Sequence, residues 1–298
     1  MVTPPDNSSL YKSAESYRKV MAHYDISFQK MGIPYETKYV ETRFGPTHAV
    51  ISGNKNGKSV VLWHGGNANS TIWTKWIAAF APTYRVYAID TIGEMGRSAA
   101  SRPPRAGPAY GQWAAEALEE LGLKRANMIG ISNGGWLILK LASVASEKIG
   151  SAILVSAAGF RPLNIKFVVR FLVPYLTQSP AQTARRFWEV LSPPDLPPDP
   201  DFLELFELMV GEFRLGFGSP PVISSAEVRR LTAPTYLLMG QYEITFHPDP
   251  YKVLERGLSL LPNLIAAEIV PGVGHLMVHK QPTWVIARVV TFLERYAV

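Results

Sequence analysis

Between residues 58 and 156, apolar runs of strand length alternate with amphipathic stretches of helix length, and nothing else in the chain restricts its fold as much. KSVVLW, YRVYAID, NMIGIS and GSAILVS read as strands, and the intervening stretches 70–80, 110–121 and 136–146 read as helices. Parallel strands need crossovers of about a dozen residues, which a helix supplies, and strands that are apolar on both sides must be covered on both faces. The pattern therefore predicts an α/β fold with a mostly parallel sheet and helices on both faces. YETKYVET and THAVISG, separated by the turn-like FGP, predict a hairpin ahead of this sheet. TYLLMG and IAAEIV, followed by helical patterns at 249–261 and 283–296, resume the alternation and bring the expected sheet to eight strands. One helix is expected before residue 30, with Val20, Tyr24 and Phe28 at helical spacing.

The alternation is interrupted once. IKFVVRFLVPYL, PAQTARRFWEVLS and DFLELFELMVGEFRLGF all read as helices, and the prolines of PPDLPPDPD favour an extended connection before the last. The expected organisation is a core domain made of residues 1–160 and 232–298, with a helical cap inserted at 161–231. The cap carries Phe167, Phe171, Tyr175, Phe187, Trp188, Phe202, Phe206 and Phe213. Most are expected to pack the cap onto the core, with two or three facing the substrate. IKFVVRFLVPYL reads as a core-facing cap helix in preference to a membrane-surface anchor.

Composition narrows the function classes. With 298 residues, 47% hydrophobic, the chain can bury a large core. Neither a secretory pattern in MVTPPDNSSLYKSAESYRK nor a bilayer-length apolar run is present, so a cytoplasmic protein without stable membrane insertion is expected. The absence of cysteine removes disulfides, thiolate metal sites and cysteine nucleophiles. The net charge of +6 lies in the first 160 residues, with SRPPR at 101–105 its densest knot. No basic stripe with interleaved aromatics accompanies it, so nucleic acid is not an expected partner.

In an open parallel sheet, ligands bind beyond the carboxyl ends of the strands, so the loops there are where chemistry is expected. Four of them carry suggestive residues. In GISNGG, Ser132 stands between a strand and a helix, where Gly130 and Gly134 leave room for a crowded turn that exposes a nucleophilic hydroxyl and Gly135 permits close helix packing. HGGNANS follows KSVVLW, and the backbone amides of Gly66 and Asn133 are the candidate donors for an oxyanion, with Asn67 open as a substitute for Gly66. His64 reads as a brace for that loop. In QYEITFHPDP two acids compete for the role of orienting a catalytic histidine, Glu243 and Asp249, and Glu243 lies nearer the strand end. In PGVGHLMVH, His275 sits in a glycine-rich loop at a late strand end and reads as the base, while His279 lies towards the last helix. His23, His48 and His247 read as structural or surface residues.

The order Ser132, Glu243, His275 is that of the α/β-hydrolase class. The chain resembles bacterial carboxylesterases of the naproxen-esterase type in TRFGPTHAVISG, LWHGGNANSTIW, YRVYAIDTIGEMGRS, MIGISNGGW, LLMGQYEITFHPDP and VGHLMVHKQPTWV. The resemblance spans nearly the whole length and is weakest in the cap. It implies an α/β-hydrolase fold and a triad of Ser132, Glu243 and His275. HGG departs from the relatives, which carry HG followed by a small and then a large apolar residue. The expected activity is acyl-enzyme hydrolysis of small to medium apolar or aryl esters, with no metal and no organic cofactor. A carbon–carbon bond hydrolase, a lactonase or a perhydrolase would use similar residues, and a slow-turnover small-molecule receptor is the alternative from another class. The expected partner is a small-molecule ester, and a homodimer stays open.

Overall fold

The structure, a computed structural model, describes every residue except Met1, Asp195, Phe217, Ser219 and Gln281. Eight strands form one sheet: β1 (Tyr35–Val40), β2 (Thr47–Gly53), β3 (Ser59–Trp63), β4 (Arg85–Ile89), β5 (Ala126–Ile131), β6 (Ile149–Val155), β7 (Thr235–Gly240) and β8 (Leu264–Val270). Their order is β1-β2-β4-β3-β5-β6-β7-β8. The expected hairpin is β1 against β2; β2 also runs antiparallel to β4, and every other pairing is parallel.

Alternate residues of each strand enter opposite cores. Met128 of β5 packs into one apolar cluster and Ile129 and Ile131 into the other. The first cluster is covered by α3 (Ala109–Glu120), α4 (Asn133–Ala145) and α9 (Pro250–Leu260), the second by α1 (Ala14–Lys30), α2 (Thr74–Phe80) and α11 (Pro282–Tyr296). Because β3 lies between β4 and β5, the chain reverses direction across the sheet there. The reversal opens a crevice at the carboxyl ends of β3 and β5, where the HGG and GISNGG loops emerge side by side.

Between β6 and β7 lie α5 (Ile165–Thr177), α6 (Pro180–Leu191), α7 (Pro200–Glu212) and α8 (Ser225–Val228). Ser179 and Gln182 cap α6 reciprocally, and the Asp199 side chain caps α7, whose first residue is Pro200. Thus the end of PPDLPPDPD starts a helix instead of continuing the extended connection; Asp195 lies outside the described residues.

Several elements depart from expectation for identifiable reasons. The stretch 70–80 is a 3₁₀ turn over Ser70–Trp73 followed by α2, because the Asn69 side chain accepts from the Thr71 amide and Asp90 Oδ1 from the Ser70 amide. The third inserted helix stops at Glu212 instead of running to residue 217. Phe213 pairs there with Tyr11 in an antiparallel bridge, flanked by hydrogen bonds from Lys12 N to Glu212 O and from Arg214 N to Leu10 O. Phe217 itself lies outside the described residues, as does Gln281 in the ending VGHLMVHKQPTWV. The short helices α8 and α10 (Met277–Lys280) were not expected.

The core-facing reading of α5 holds for one side only. Phe167 and Pro174 are buried, whereas Ile165 and Leu176 are 70% and 69% exposed and Val169 and Val173 also face outward. Among the described residues no helix is long and apolar enough to cross a membrane.

Candidate active site

Ser132 is the single residue between β5 and α4, and its backbone (φ 52°, ψ −113°) lies where non-glycine residues are strained. The strain is held by the packing around it. A Cβ at Gly134 would lie 2.0 Å from the Trp63 carbonyl oxygen at the end of β3, one at Gly130 2.5 Å from the Gly134 carbonyl, and one at Gly135 2.4 Å from Ala157 Cβ. The turn can close only without these side chains, as the sequence reading of the three glycines required. It also places the Asn133 amide at the first turn of α4, with Asn133 only 4% exposed.

The HGG loop lies against this elbow. A Cβ at Gly66 would meet Asn133 Cβ at 3.6 Å, and one at Gly65 would meet Ser132 Cβ at 3.9 Å. His64 bonds the Gly65 carbonyl through Nδ1 (2.7 Å) and the Thr91 amide through Nε2 (2.9 Å). Since the Thr91 amide must donate, Nε2 accepts and Nδ1 carries the proton, so the ring braces the loop and has no nitrogen left for proton transfer. The choice between Gly66 and Asn67 turns on Glu94. The Asn67 amide donates to Glu94 Oε2 at 2.6 Å, so it already has an acceptor, which leaves Gly66 as the candidate oxyanion donor of this loop.

Two loops at the other side of the crevice bring an acid to a histidine. A Cβ at Gly240 would sit 2.5 Å from the Gly274 carbonyl, so the loops leaving β7 and β8 touch. Across that contact His275 Nδ1 donates to Glu243 Oε2 at 2.5 Å, and the Thr245 amide donates to Glu243 Oε1 at 2.7 Å. Glu243 is fully buried. Burial pushes its carboxyl up, but the charge and hydrogen bond of His275, together with Thr245, outweigh it and hold the group below the usual carboxylate range. With Nδ1 committed to Glu243, His275 has Nε2 available to act as a base. Asp249 is occupied otherwise, as the N-cap of α9 accepting from the Tyr251 amide.

The remaining histidines divide as follows. His48 is buried and bonds Asp90, whose carboxylate also accepts from Tyr24 and from the amides of Ser70 and Arg97. His247 Nδ1 accepts from the Asp249 amide, and His23 lies on α1. His279 lies towards the last helix, in α10 just ahead of α11, edge-on to Phe202, and it lines the same cavity as His275. Desolvation pushes its imidazole down to about 4, so it is neutral near pH 7.

Ser132 and His275 open into one cavity of about 710 Å³, walled on the far side by α5, α6 and α7. Of the eight aromatics singled out in the sequence, Phe167, Phe171, Phe187 and Phe206 line it. Tyr175 stacks on Phe171, Trp188 packs on Phe202, and Phe213 on Tyr11. The volume suits a small or drug-sized molecule, and its walls are mostly apolar with a few convergent polar groups. Among the described residues no cluster of three or more acidic or histidine side chains is placed to hold a metal ion.

The sequence reading missed two polar residues at this site. Arg105, from SRPPR, reaches Asn133 Oδ1 through Nη1 at 3.1 Å and lies 3.5 Å from Glu94 Oε1 through Nη2. Neither contact leaves a local sequence signal, because the partners are 28 and 11 residues apart.

The model of the alpha/beta hydrolase family matches residues 60–288. The chain is 31% identical to carboxylesterase YbfK of Bacillus subtilis, over 96% of this chain and 97% of that protein. The crystal structure of naproxen esterase (carboxylesterase NP) from Bacillus subtilis superposes with a TM-score of 0.83 at 26% identity, covering 95% of this chain and 99% of that one. A 2-hydroxy-6-oxononadienedioate/2-hydroxy-6-oxononatrienedioate hydrolase from Pseudomonas sp. is 30% identical over only 40% of this chain and 44% of its own length.

Proposed function

The chain belongs to the α/β-hydrolase family, and from that premise we propose that it is a serine carboxylic-ester hydrolase whose triad is Ser132, Glu243 and His275. The coincidence that carries this reading is a strained serine and a carboxylate-bound histidine opening into one cavity. Full-length similarity to a carboxylesterase supports the ester class over the carbon–carbon bond hydrolase, whose match covers less than half of the chain.

The reaction proceeds in two halves. Ser132 Oγ attacks the ester carbonyl carbon as His275 Nε2 takes its proton, and Glu243 stabilises the imidazolium that forms. The carbonyl π-pair moves to oxygen, where the amides of Gly66 and Asn133 hold the oxyanion; one such donor is typically worth about 3 kcal/mol of transition-state stabilisation. The carbonyl re-forms as the C–O bond to the alcohol breaks, and His275 gives its proton to the departing oxygen. Water then adds to the acyl-enzyme by the same steps, its proton passing through His275 to Ser132 as the carboxylic acid leaves. No redox or metal chemistry enters this sequence.

The apolar walls supplied by Phe167, Phe171, Phe187 and Phe206 fit small to medium apolar or aryl esters. The helices from residue 161 to 231 act as a cap that closes the cavity from above and supplies its apolar walls. The test is steady-state hydrolysis of short and medium aryl esters by the wild type and Ser132→Ala. Turnover by the wild type with loss in Ser132→Ala is expected; an inactive wild type, or a Ser132→Ala protein that keeps its activity, overturns the proposal. Tight binding of one ligand without turnover would instead identify a receptor.

A further inference from the structure

Among the described residues Asn67 is one of three non-glycine residues with positive φ (57°), and its turn is held at both ends. Its amide donates to Glu94 Oε2 at 2.6 Å, and its Oδ1 accepts from the Gly216 amide at 2.8 Å. Glu94 is 4% exposed, and this short bond ties it to the loop. Its other oxygen lies 3.5 Å from Arg105 Nη2, and Arg105 Nη1 donates to Asn133 Oδ1 at 3.1 Å. A continuous polar bridge therefore runs from the HGG loop through Glu94 and Arg105 to the residue after Ser132. It ties together the two segments that carry the Gly66 and Asn133 amides, which reach those places from different strands. The segments leave neighbouring strands that pair as far as Trp63 and Gly130, and past the strand ends they stay close, since a Cβ added at Gly66 would meet Asn133 Cβ at 3.6 Å.

We propose that Glu94 and Arg105 are positioning residues that set the spacing of the two oxyanion donors, Glu94 by fixing the turn at Asn67 and Arg105 by clamping Asn133. The proposal rests on the assignment of Gly66 and Asn133 as those donors. It gives the Asn133 side chain a function, since an apolar residue there would leave Arg105 without its acceptor across the bridge. Preorganised donors stabilise the transition state more than the bound ester, and displacements of a fraction of an ångström weaken them. Loss of the bridge should therefore lower kcat and leave KM nearly unchanged.

The experiment measures kcat, KM and two inhibition constants on the full chain, for the wild type, Arg105→Met, Asn133→Ala, their double variant and Glu94→Gln. One inhibitor is phenylboronic acid, which forms a tetrahedral anionic adduct with an active-site serine. The other is an aryl alkyl ether of the substrate's shape, which has no carbonyl. Arg105→Met is expected to lower kcat about tenfold to a hundredfold and to weaken the boronate by a similar factor, with KM and the ether constant within about twofold. The double variant should lose no more than the larger single loss, because both changes cut one contact. Glu94→Gln retains a carbonyl acceptor for Asn67 and should fall between wild type and Arg105→Met. If Arg105→Met proves unstable, Asn133→Ala cuts the same bridge and is read alone. Unchanged kcat, additive losses, or ether binding that weakens in parallel with the boronate overturns the proposal. Should Ser132→Ala be inactive while Arg105→Met and Asn133→Ala turn over like wild type, this inference fails and the parent function stands.

Discussion

Replacing Glu243 by glutamine removes one charge from a buried pair and leaves the volume of the side chain almost unchanged, so its effect comes through charge and hydrogen bonding and not through packing. In the proposed first step His275 becomes a cation 2.5 Å, atom to atom, from a carboxylate oxygen. For charge centres about 4 Å apart at an effective dielectric constant of about 20, the attraction is about 4 kcal/mol, equivalent to nearly a thousandfold in rate. A second loss is added when the carboxamide offers its NH₂ to Nδ1. The ring then has to carry its proton on Nε2 and cannot accept one from Ser132; the corresponding change in a serine protease costs about ten-thousandfold. Glu243→Gln is thus expected to lower kcat for p-nitrophenyl butyrate by about a thousandfold to ten-thousandfold, with a small change in KM. Asp249→Asn serves as the control. Its carboxylate caps α9, a task asparagine performs well, so kcat should stay within about twofold. A Glu243→Gln enzyme within tenfold of wild type, or a larger loss in Asp249→Asn, would refute the reasoning.

Other outcomes follow from the same geometry. Gly134→Ala places a methyl 2.0 Å from the Trp63 carbonyl, and since a backbone atom cannot rotate away, destabilisation of about 3 kcal/mol or more is expected in urea titrations; a loss under about 1 kcal/mol would contradict it. His279, held at about 4 in the fold against an ordinary 6.5, gains its proton first in the unfolded chain. Stability should therefore fall as pH drops from about 6.5 to about 4, and His279→Phe should flatten that slope in denaturant titrations at stepped pH. Glu243, lowered from its ordinary 4.5, contributes stability above that value, lost as pH falls through its folded pKa; Glu243→Gln should remove this acid-side component. Phe187→Ala enlarges the cavity and should raise the kcat/KM ratio of a longer to a shorter acyl ester about tenfold, whereas an unchanged ratio would place Phe187 away from the substrate.

What the sequence made legible is what short-range sterics and periodicity control. The strands from β3 to β8 follow from largely apolar runs, and GISNGG reads as an elbow from its place between a strand and a helix, where the structure sets each of its glycines against a neighbour too close for a Cβ. Yet two adjacent glycines also resemble a helix breaker, so the start of α4 at Asn133 was placed three residues late. The helix α8 did leave a signal, the reciprocal cap of Ser224 and Glu227, in a segment otherwise free of apolar periodicity. The outward apolar face of α5 was hidden because periodicity reports amphipathicity but not which side meets solvent when both carry apolar residues. Contacts between distant loops were the least legible. The choice of Gly66 over Asn67 depends on Glu94, 27 residues away, and the bridge through Arg105 depends on three loops meeting at one sheet edge.

Trapping the acyl-enzyme tests the central claim most directly. The wild type, mixed with an aryl ester and quenched in acid within milliseconds, is digested and examined by mass spectrometry. An acyl group on the peptide holding Ser132, released at the rate of turnover and absent from Ser132→Ala, is the result expected of this nucleophile. Turnover with no acyl adduct on the chain, or an adduct on another residue that persists in Ser132→Ala, would contradict it.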